Sequence, residues 1–296
     1  MNKIVKKKML TETIFLMEIE APRVAKSALP GQFIIIKNTE KGERVPLTIA
    51  DYDAEKGTVT IVTQAIGKST MELMSYNEGD YVCDFVGPLG MPSEFCSMSE
   101  EELKEQKIIF VAGGVGAAPI YPQVKWLNAH GIKADVIIGA RDKSLIILEE
   151  EMKAVAENVY IATDNGSYGF AGRATDLLQK LVKEDGKVYN KAVIIGPMIM
   201  MKFTTMTTKE LGIPTIVSLN PIMVDGTGMC GACRVTVGDE VKFACVDGPE
   251  FDGFKVNLDE AMRRQTIYKT AEGKAKLEFE EGATHKNGGC GCGGDK

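Results

Sequence analysis

Between residues 107 and 195 the sequence alternates between short apolar, β-rich runs and segments long enough to form helices. The runs cover residues 107–112, 134–138, 159–162 and 192–195. Strands that alternate with helices are typical of a parallel sheet, because a parallel pair needs a crossover connection and a helix usually supplies it. The pattern predicts an α/β doubly wound domain, which we place at residues 99–220.

Each of these runs ends in turn-forming residues, which would lie together at the carboxyl edge of the sheet. In an open α/β sheet, ligands bind in the crevice beyond that edge. Glycines there let the backbone approach a phosphate, and the following helix points its first amides at it. The sequence therefore predicts a nucleotide site, with these candidate residues: Gly113, Gly114, Val115, Gly116, Ala117, Pro119, Arg141, Asp164, Gly196, Pro197 and Met198.

The pattern of glycines does not name the nucleotide. Pro119 stands near the place of the third glycine in the dinucleotide fingerprint, and the glycines could simply form tight strand–helix turns. Arg141, followed by Asp142, ends the second run where an acidic residue would favour NAD. An arginine can bind a 2′-phosphate, stack on adenine or remain solvated, so the pattern leaves NAD and NADP open.

Residues 1–98 read differently, as short strands separated by glycine or proline. Apolar or alternating runs occur at residues 13–20, 32–37, 58–62 and 80–86. Regular short strands with turn signals indicate a small antiparallel β-barrel. The basic run Lys6-Lys7-Lys8 precedes the first of these strands, and we interpret it as a solvated strand end.

The composition excludes several classes of function. The 296 residues carry a formal net charge of −6 and no recurring basic stripe, which argues against nucleic acid as a partner. We find no apolar run long enough to span a bilayer and no signal-peptide core, so we expect a cytoplasmic protein without a membrane partner. An odd count of 7 cysteines without an export signal argues against a disulfide framework.

Residues 221–256 contain the most specific pattern in the chain. Asp225, Cys230, Cys233 and Cys245 are spaced D-x4-C-x2-C-x11-C. Plant-type [2Fe–2S] proteins use C-x4-C-x2-C and a distant fourth cysteine, so Asp225 stands in the place of the first ligand. We predict a [2Fe–2S] cluster on these four residues. The alternatives are a zinc site, reduced structural thiols, or a cluster for which Asp225 is only a neighbouring loop residue.

The remaining residues carry weaker signals. Residues 257–284 predict a C-terminal helix and extension, with one helix over 258–269. Residues 285–296 are rich in glycine and cysteine and predict a disordered tail. Cys290 and Cys292 could bind a metal together with His285, although a mobile tail is the simpler interpretation.

With both sites in view, the sequence resembles the ferredoxin–NADP reductase superfamily over nearly its whole length, to about residue 280. The most specific stretches are residues 224–235 and 243–251. Within the superfamily, it is similar to the small subunits of NADH-dependent reduced ferredoxin:NADP oxidoreductases, also called sulfide dehydrogenase subunits. It is similar too to the electron-transfer subunits of dihydroorotate dehydrogenases.

The resemblance implies FAD on the barrel. Arg44 would pair with the FAD pyrophosphate, and Thr48 would sit near the flavin N5 edge as the catalytic residue. Ser69 and Thr70 would hold the pyrophosphate at a helix start, where they could also serve as helix caps. The flavin residues implied in this way are Arg44, Val45, Pro46, Leu47, Thr48, Val62, Thr63, Gln64, Gly67, Ser69 and Thr70.

The resemblance also implies a function and a partner. It favours NAD(H) over NADP(H), with hydride exchange at the flavin and single-electron transfer through the cluster. The partner would be a larger flavin and iron–sulfur subunit that serves NADP(H) and ferredoxin and bifurcates electrons. Asp225 favours this assignment over supply to a dihydroorotate dehydrogenase, whose relatives carry four cysteines. A non-catalytic redox sensor or carrier is a third interpretation.

Overall fold

The computed structural model of the chain describes residues 1–287, and their side chains as far as residue 282. Three units follow one another along the sequence. They are an antiparallel barrel, an α/β sheet and a short segment built around a β-hairpin. The predicted fold class is confirmed. None of the helices in the described part of the chain combines the length and apolar character needed to cross a membrane.

The barrel is one antiparallel sheet in the order β6-β1-β2-β5-β4-β3-β7. Its two edge strands are separated in the chain by Cys83 alone, whose amide donates to the Lys37 carbonyl at 2.9 Å, so the sheet nearly closes on itself. Its elements are β1 (Asn2–Met9), β2 (Ile14–Glu20), α1 (Pro22–Ser27), β3 (Phe33–Lys37), β4 (Val45–Asp53), β5 (Thr58–Gln64), α2 (Lys68–Ser75), β6 (Tyr81–Val82) and β7 (Asp84–Leu89).

Two barrel strands differ from the sequence interpretation. Lys6-Lys7-Lys8 lies inside β1 rather than ahead of the first strand, and the chain pairs there with β2. The three consecutive lysines interrupt the alternation of apolar and polar residues. The period-two pattern that predicts a strand is therefore missing, although the backbone of β1 is fully paired. Strand β4 is also absent from the predicted set, because it contains Pro46 and no buried residue before Ile49.

The second sheet has the order β11-β10-β9-β8-β12-β13, with all these strands parallel, as predicted. The chain leaves β8 toward one edge and returns through β12 toward the other, which makes the β8–β12 boundary the switch point where such sheets bind ligands. The elements are α3 (Glu100–Lys104), β8 (Ile108–Gly113), α4 (Ala117–Ala129), β9 (Asp135–Ala140), α5 (Glu149–Lys153), β10 (Asn158–Thr163), β11 (Phe170–Ala171), α6 (Ala174–Lys183), β12 (Lys191–Ile195), α7 (Met198–Glu210) and β13 (Thr215–Ser218).

The third unit contributes a strand to the α/β sheet. Its hairpin consists of β14 (Arg234–Val237) and β15 (Glu240–Phe243), and β16 (Glu250–Asp252) pairs antiparallel with β13 as an edge strand of the α/β sheet. The two buried faces of that sheet also extend into the other units: one includes Phe33 of the barrel together with Cys233 and Cys245, and the other includes Ile14.

The C-terminal region differs from its prediction. The single helix expected over residues 258–269 is two helices, α8 (Leu258–Arg264) and α9 (Lys269–Asn287). Helix α9 also extends through residues 285–287, which were expected to be disordered. Cys290 and Cys292 lie outside the described residues, as does the rest of the predicted tail from residue 288 onward.

Candidate functional site

A cavity of about 1020 Å³ opens where the three units meet. Its size is at the upper end of the range for ligand pockets, as a dinucleotide and a second nucleotide require. Most of the predicted nucleotide residues lie in its wall: Pro46, Leu47, Thr48, Val62, Thr63, Gln64, Thr70, Gly113, Gly114, Val115, Gly116, Pro119, Arg141, Asp164, Gly196 and Pro197.

The barrel side of the cavity is formed by β3, β4 and β5. Thr48 lies opposite Phe33 in the β3–β4 register, and both line the cavity. Thr63 of β5 is 3% exposed, and its hydroxyl has no hydrogen-bond partner in the described part of the chain. A buried hydroxyl without a partner is costly unless a ligand satisfies it. The barrel wall therefore fits a polar, ring-bearing ligand such as a flavin.

The sheet side is formed by the ends of β8 and β12. Helix α4 begins at Ala117, directly after the glycine turn, so Pro119 occupies its first turn as predicted. Gly116 lies against the end of β12, where any Cβ would collide with the Ile195 carbonyl oxygen. Glycine is required there because the α4 terminus packs directly onto backbone. The glycine turn that leads into this helix start lines the cavity, and such a position suits a phosphate.

The ends of β9 and β10 form the far part of the cavity, where Arg141, Asp164 and Arg173 line the wall. The carboxylate of Asp142 is engaged elsewhere, since it accepts from the Ser144 amide at 2.9 Å. Among the described residues, Asp164 makes no side-chain hydrogen bond or ion pair. Its carboxylate is therefore the acidic group available to a ribose diol in this part of the cavity.

Several predicted cofactor residues lie outside the wall: Arg44, Val45, Gly67, Ser69, Ala117 and Met198. Ser69 is buried, and its hydroxyl donates to the Glu43 carboxylate. Thr70 lines the wall, but its hydroxyl oxygen accepts from the Gly67 amide at 3.2 Å. The helix-capping interpretation of this motif is therefore realised, and phosphate contact at these hydroxyls stays a prediction.

Sequence reasoning missed the contribution of the third unit to the cavity. Residues 218–221 line the wall, as do Met223 and Pro249. They lie directly before and after the cluster motif, so the segment that carries the cysteines also closes the nucleotide cavity. The available signal was closeness in sequence, because Pro249 follows Cys245 by four positions.

The hairpin explains the spacing between two of the cluster cysteines. Cys233 directly precedes β14. Cys245 lies after β15, with one residue between them, and a two-residue turn joins the two strands. The hairpin brings the two cysteines together: the Cys245 amide donates to the Cys233 sulfur at 3.5 Å, and both residues are 1% exposed. Burial raises the pKa of the Cys245 thiol, and the hydrogen bond with Cys233 adds to this shift.

The loop before the hairpin carries the other two predicted ligands. The Asp225 carboxylate accepts from the Thr227 amide at 2.9 Å and from the Thr227 hydroxyl, and these bonds lower its pKa. Cys230 is exposed, and the Ala232 amide lowers the pKa of its thiol by hydrogen bonding to the sulfur. Amides directed at sulfur are what an anionic iron–sulfur cluster requires.

Among the side chains that the structure describes, as far as residue 282, no three from His, Cys, Asp or Glu converge closely enough to hold one metal ion. The donors nevertheless fit a [2Fe–2S] group in kind. Two buried cysteines are in contact, and an exposed low-pKa cysteine and an aspartate lie on the adjoining glycine-containing loop. A two-iron cluster draws its four ligands from such a set.

Glu250 of β16 joins all three units beside the cavity. Its Oε1 accepts from the Ser93 hydroxyl at 2.9 Å and from the Gln123 amide at 3.0 Å. Burial raises the pKa of this carboxyl from an ordinary 4.5 to about 7, and Lys191 opposes the shift only in part. The buried Oε1 of Gln123 has no hydrogen-bond partner among the described residues.

Comparison with known proteins agrees with this site. Residues 220–257 match the iron–sulfur cluster binding domain of dihydroorotate dehydrogenase B. The chain is 71% identical over 296 residues, 100% of both chains, to a protein of Clostridium beijerinckii described as an uncharacterized protein in the adh 3′ region.

Two further relatives carry functional descriptions. A chain of the solved NADH-dependent reduced ferredoxin-NADP oxidoreductase structure superimposes with a TM-score of 0.87 at 45% identity, covering 94% of this chain and 98% of that one. The Thermotoga maritima homologue of the dihydroorotate dehydrogenase B (NAD(+)) electron transfer subunit is 46% identical over 280 residues, 95% of both chains. The chain therefore belongs to the family of dihydroorotate dehydrogenase B electron transfer subunits and their homologues.

Proposed function

We propose that this chain is an electron-transfer subunit that contains FAD and a [2Fe–2S] cluster and exchanges hydride with NAD(H). It passes single electrons to a larger flavoprotein subunit of the bifurcating, NADH-dependent ferredoxin:NADP oxidoreductase type. Ferredoxin and NADP(H) are then reached through that partner. We place this reaction in the cytoplasm.

The observation that carries the proposal is the shared cavity. Its wall combines barrel residues, the glycine turn at α4 and the segment that flanks the cluster cysteines. A hydride carries two electrons and a cluster accepts one, so a group that can do both must stand between them. A flavin supplies that chemistry when bound. The cavity is the place where such a group touches both the nucleotide side and the cluster side.

The residues of the chain then have distinct tasks. The backbone of the glycine turn before α4 holds the phosphate of the nicotinamide nucleotide, and Gly116 lets the start of α4 pack against the end of β12. Thr48 and Thr63 present hydroxyls from the barrel, where they orient the ring system. Met223 and Pro249 close the cavity against water on the cluster side. Cys230, Cys233, Cys245 and Asp225 hold the cluster.

NAD(H) is favoured over NADP(H) by Asp164. A carboxylate in the wall accepts hydrogen bonds from a ribose diol and repels a 2′-phosphate. The neighbouring Arg141 and Arg173 would instead favour the 2′-phosphate of NADP(H), because both side chains also line this part of the cavity.

The first experiment is purification of the protein under anaerobic conditions, with analysis of flavin, iron, sulfide and zinc. We expect one FAD per chain, iron and sulfide at [2Fe–2S] stoichiometry, and bleaching of the flavin by NADH. A colourless protein with stoichiometric zinc would overturn the proposal. Flavin that NADH fails to reduce would indicate a redox sensor or carrier instead.

A second candidate is electron supply to a dihydroorotate dehydrogenase, which the match of residues 220–257 favours. Copurification from the native cell separates the two. A companion with further iron–sulfur centres and an NADP(H) site supports the bifurcating assignment. A companion that oxidises dihydroorotate supports the second.

The ligand role of Asp225 has its own test. A carboxylate is a harder donor than a thiolate and changes the electronic structure of the iron that it binds. We expect Asp225→Cys to retain the cluster but to change its electron paramagnetic resonance (EPR) spectrum and midpoint potential. An unchanged spectrum and potential would show that Asp225 is not a ligand.

A further inference from the structure

Arg44 extends from the barrel to the loop that carries the predicted cluster ligands. Its Nε donates to the Val224 carbonyl at 2.8 Å, and its Nη2 donates to the Asp225 carbonyl at 3.2 Å. Arg44 and Val224 are separated by 180 positions in the chain. The same side chain is absent from the wall of the nucleotide cavity. The hydrogen bonds of the Arg44 side chain are therefore with the cluster loop.

The loop is seated on the barrel directly beside these bonds. Gly226 has a φ of +84°, and a Cβ there would lie 2.7 Å from the Ile35 Cδ1 and 2.9 Å from the Leu89 Cδ1. No side chain fits between the loop and strands β3 and β7. The backbone therefore lies flat on the barrel at residue 226, and Arg44 fastens the two residues that precede it.

The rest of the loop is organised by its own hydrogen bonds and by Arg264 of α8, whose Nη2 donates to the Ala232 carbonyl at 3.2 Å. The Asp225 carboxylate accepts from Thr227 and, at 3.3 Å, from the Met229 amide. Met229 is 87% exposed, and Cys230 is exposed as well. The inner bonds give the loop its shape. The attachments at residues 224–226 hold its Asp225 end on the barrel, while Arg264 holds the end next to Cys233.

We propose that Arg44 is a positioning residue for the iron–sulfur cluster: it holds the ligand loop on the flavin barrel and places a fixed positive charge beside the cluster. Groups that orient metal ligands from outside the first coordination shell commonly change metal affinity by 10- to 100-fold when they are removed. A nearby cation also favours the reduced, more negative cluster. Loss of Arg44 should therefore weaken iron retention and lower the midpoint potential.

The test compares Arg44→Gln and Arg44→Lys with Arg23→Gln in the intact protein. Arg23 is an exposed arginine of α1 whose side chain makes no hydrogen bond among the described residues, so its variant controls for the loss of a surface charge. We expect Arg44→Gln to lose iron to a chelator about tenfold faster than the wild type. We also expect a lower cluster potential and a broadened EPR signal of the reduced cluster.

Arg44→Lys keeps the charge but cannot bond both carbonyls in the same way, since an ammonium lacks the planar fork. It should retain the potential more closely than Arg44→Gln while still losing iron faster. Should Arg44→Gln fail to fold, as judged by its thermal unfolding, the lysine variant decides the question by the same measurements. Arg23→Gln should match the wild type throughout.

A different pattern would overturn the proposal. If the Arg44 variants lose FAD but keep wild-type iron retention, potential and EPR signal, then Arg44 serves only the flavin phosphate. The inference rests on the proposed function because it requires the cluster. A wild-type protein without iron defeats that function, whereas a normal cluster in both Arg44 variants defeats this inference alone.

Discussion

The nucleotide side of the cavity and the cluster unit lie next to each other but are built in opposite ways. The nucleotide side consists of backbone at the ends of β8 and β12, with Gly116 pressed against the Ile195 carbonyl. The cluster unit consists of side-chain donors on a loop and a hairpin. The loop is attached to the barrel by one arginine and one glycine contact.

This difference predicts different sensitivities. A backbone-built site fails when the backbone is displaced and tolerates most changes of side chain. A side-chain-built site fails when one donor is lost, while the surrounding fold survives. The two sites are neighbours, because Met223 and Pro249 close the cavity from the cluster side. None of the four predicted cluster ligands lines the nucleotide cavity. Substitutions should therefore disable one site and leave the other intact.

The largest effect is expected from Cys245→Ser, which removes a buried predicted ligand of the cluster. We expect loss of nearly all the iron, with FAD content and NADH-dependent flavin reduction preserved. Iron analysis and stopped-flow absorbance measure the two properties separately. Cys83→Ser, in the barrel, is the matched control and should keep its iron. Parallel loss of flavin reduction in Cys245→Ser would mean that the two regions are one site.

The complementary change is Gly116→Ala, in which the new Cβ overlaps the Ile195 carbonyl and displaces the start of α4. A displacement of this kind can cost about 100-fold in rate. We expect NADH reduction of the flavin to slow by about that factor while the cluster EPR signal is unchanged. Gly273→Ala, in α9, meets no atom within 4 Å and should have no effect.

Glu250→Gln tests the junction at which the two regions meet. The folded protein holds the Glu250 proton more tightly than the unfolded chain, because its pKa is raised to about 7. Wild-type stability should therefore fall as pH rises from about 4.5 to 7, by roughly 3 kcal/mol for a shift of this size. The amide variant cannot ionise, so its stability relative to the wild type should increase through that window and level off above it.

Urea unfolding at pH 5 and pH 8 measures this difference, with the exposed Glu101→Gln as the control. A constant difference between Glu250→Gln and the wild type at both pH values would show that Glu250 is ionised in the folded protein.

The smallest effect is expected from Asp164→Ser, which refines the backbone-built site without dismantling it. Removal of a carboxylate that opposes a 2′-phosphate should raise kcat/KM for NADPH by about tenfold, with a smaller loss for NADH. Steady-state dye reduction with both nucleotides measures the ratio. Asp239→Ser, in the hairpin turn, removes an acidic group elsewhere and should leave it unchanged. An unaltered ratio in Asp164→Ser would assign discrimination to Arg141 or Arg173.

The sequence predicted the regions that are buried on both faces. Strands β8 and β12 read as continuous apolar runs because helices cover both sides of their sheet, and their glycine turns mark the strand ends. Strand β1 escaped prediction because its lysines obscure the alternation, although its backbone is fully paired. The cysteine spacing is also a local property, since the hairpin between Cys233 and Cys245 accounts for it.

Long-range pairings were out of reach of the sequence. No local pattern links Arg44 to Val224 or Glu250 to Gln123 and Ser93, since these contacts depend on how the three units are arranged. The resemblance did suggest a role for Arg44, but at the flavin phosphate. For the same reason, the break between α8 and α9 was missed: the stretch from residue 258 to 269 contains neither glycine nor proline.

Strand β16 has a consequence for how the protein is made. Synthesis proceeds from the N-terminus, and residues 250–252 emerge after every other strand of their sheet. Until then, the outer side of β13 offers unpaired backbone groups to other chains, which is a known route to aggregation. By the time β16 covers that edge, all four predicted cluster ligands have already left the ribosome. Completion of the α/β sheet and readiness for cluster insertion therefore coincide in the life of the nascent chain.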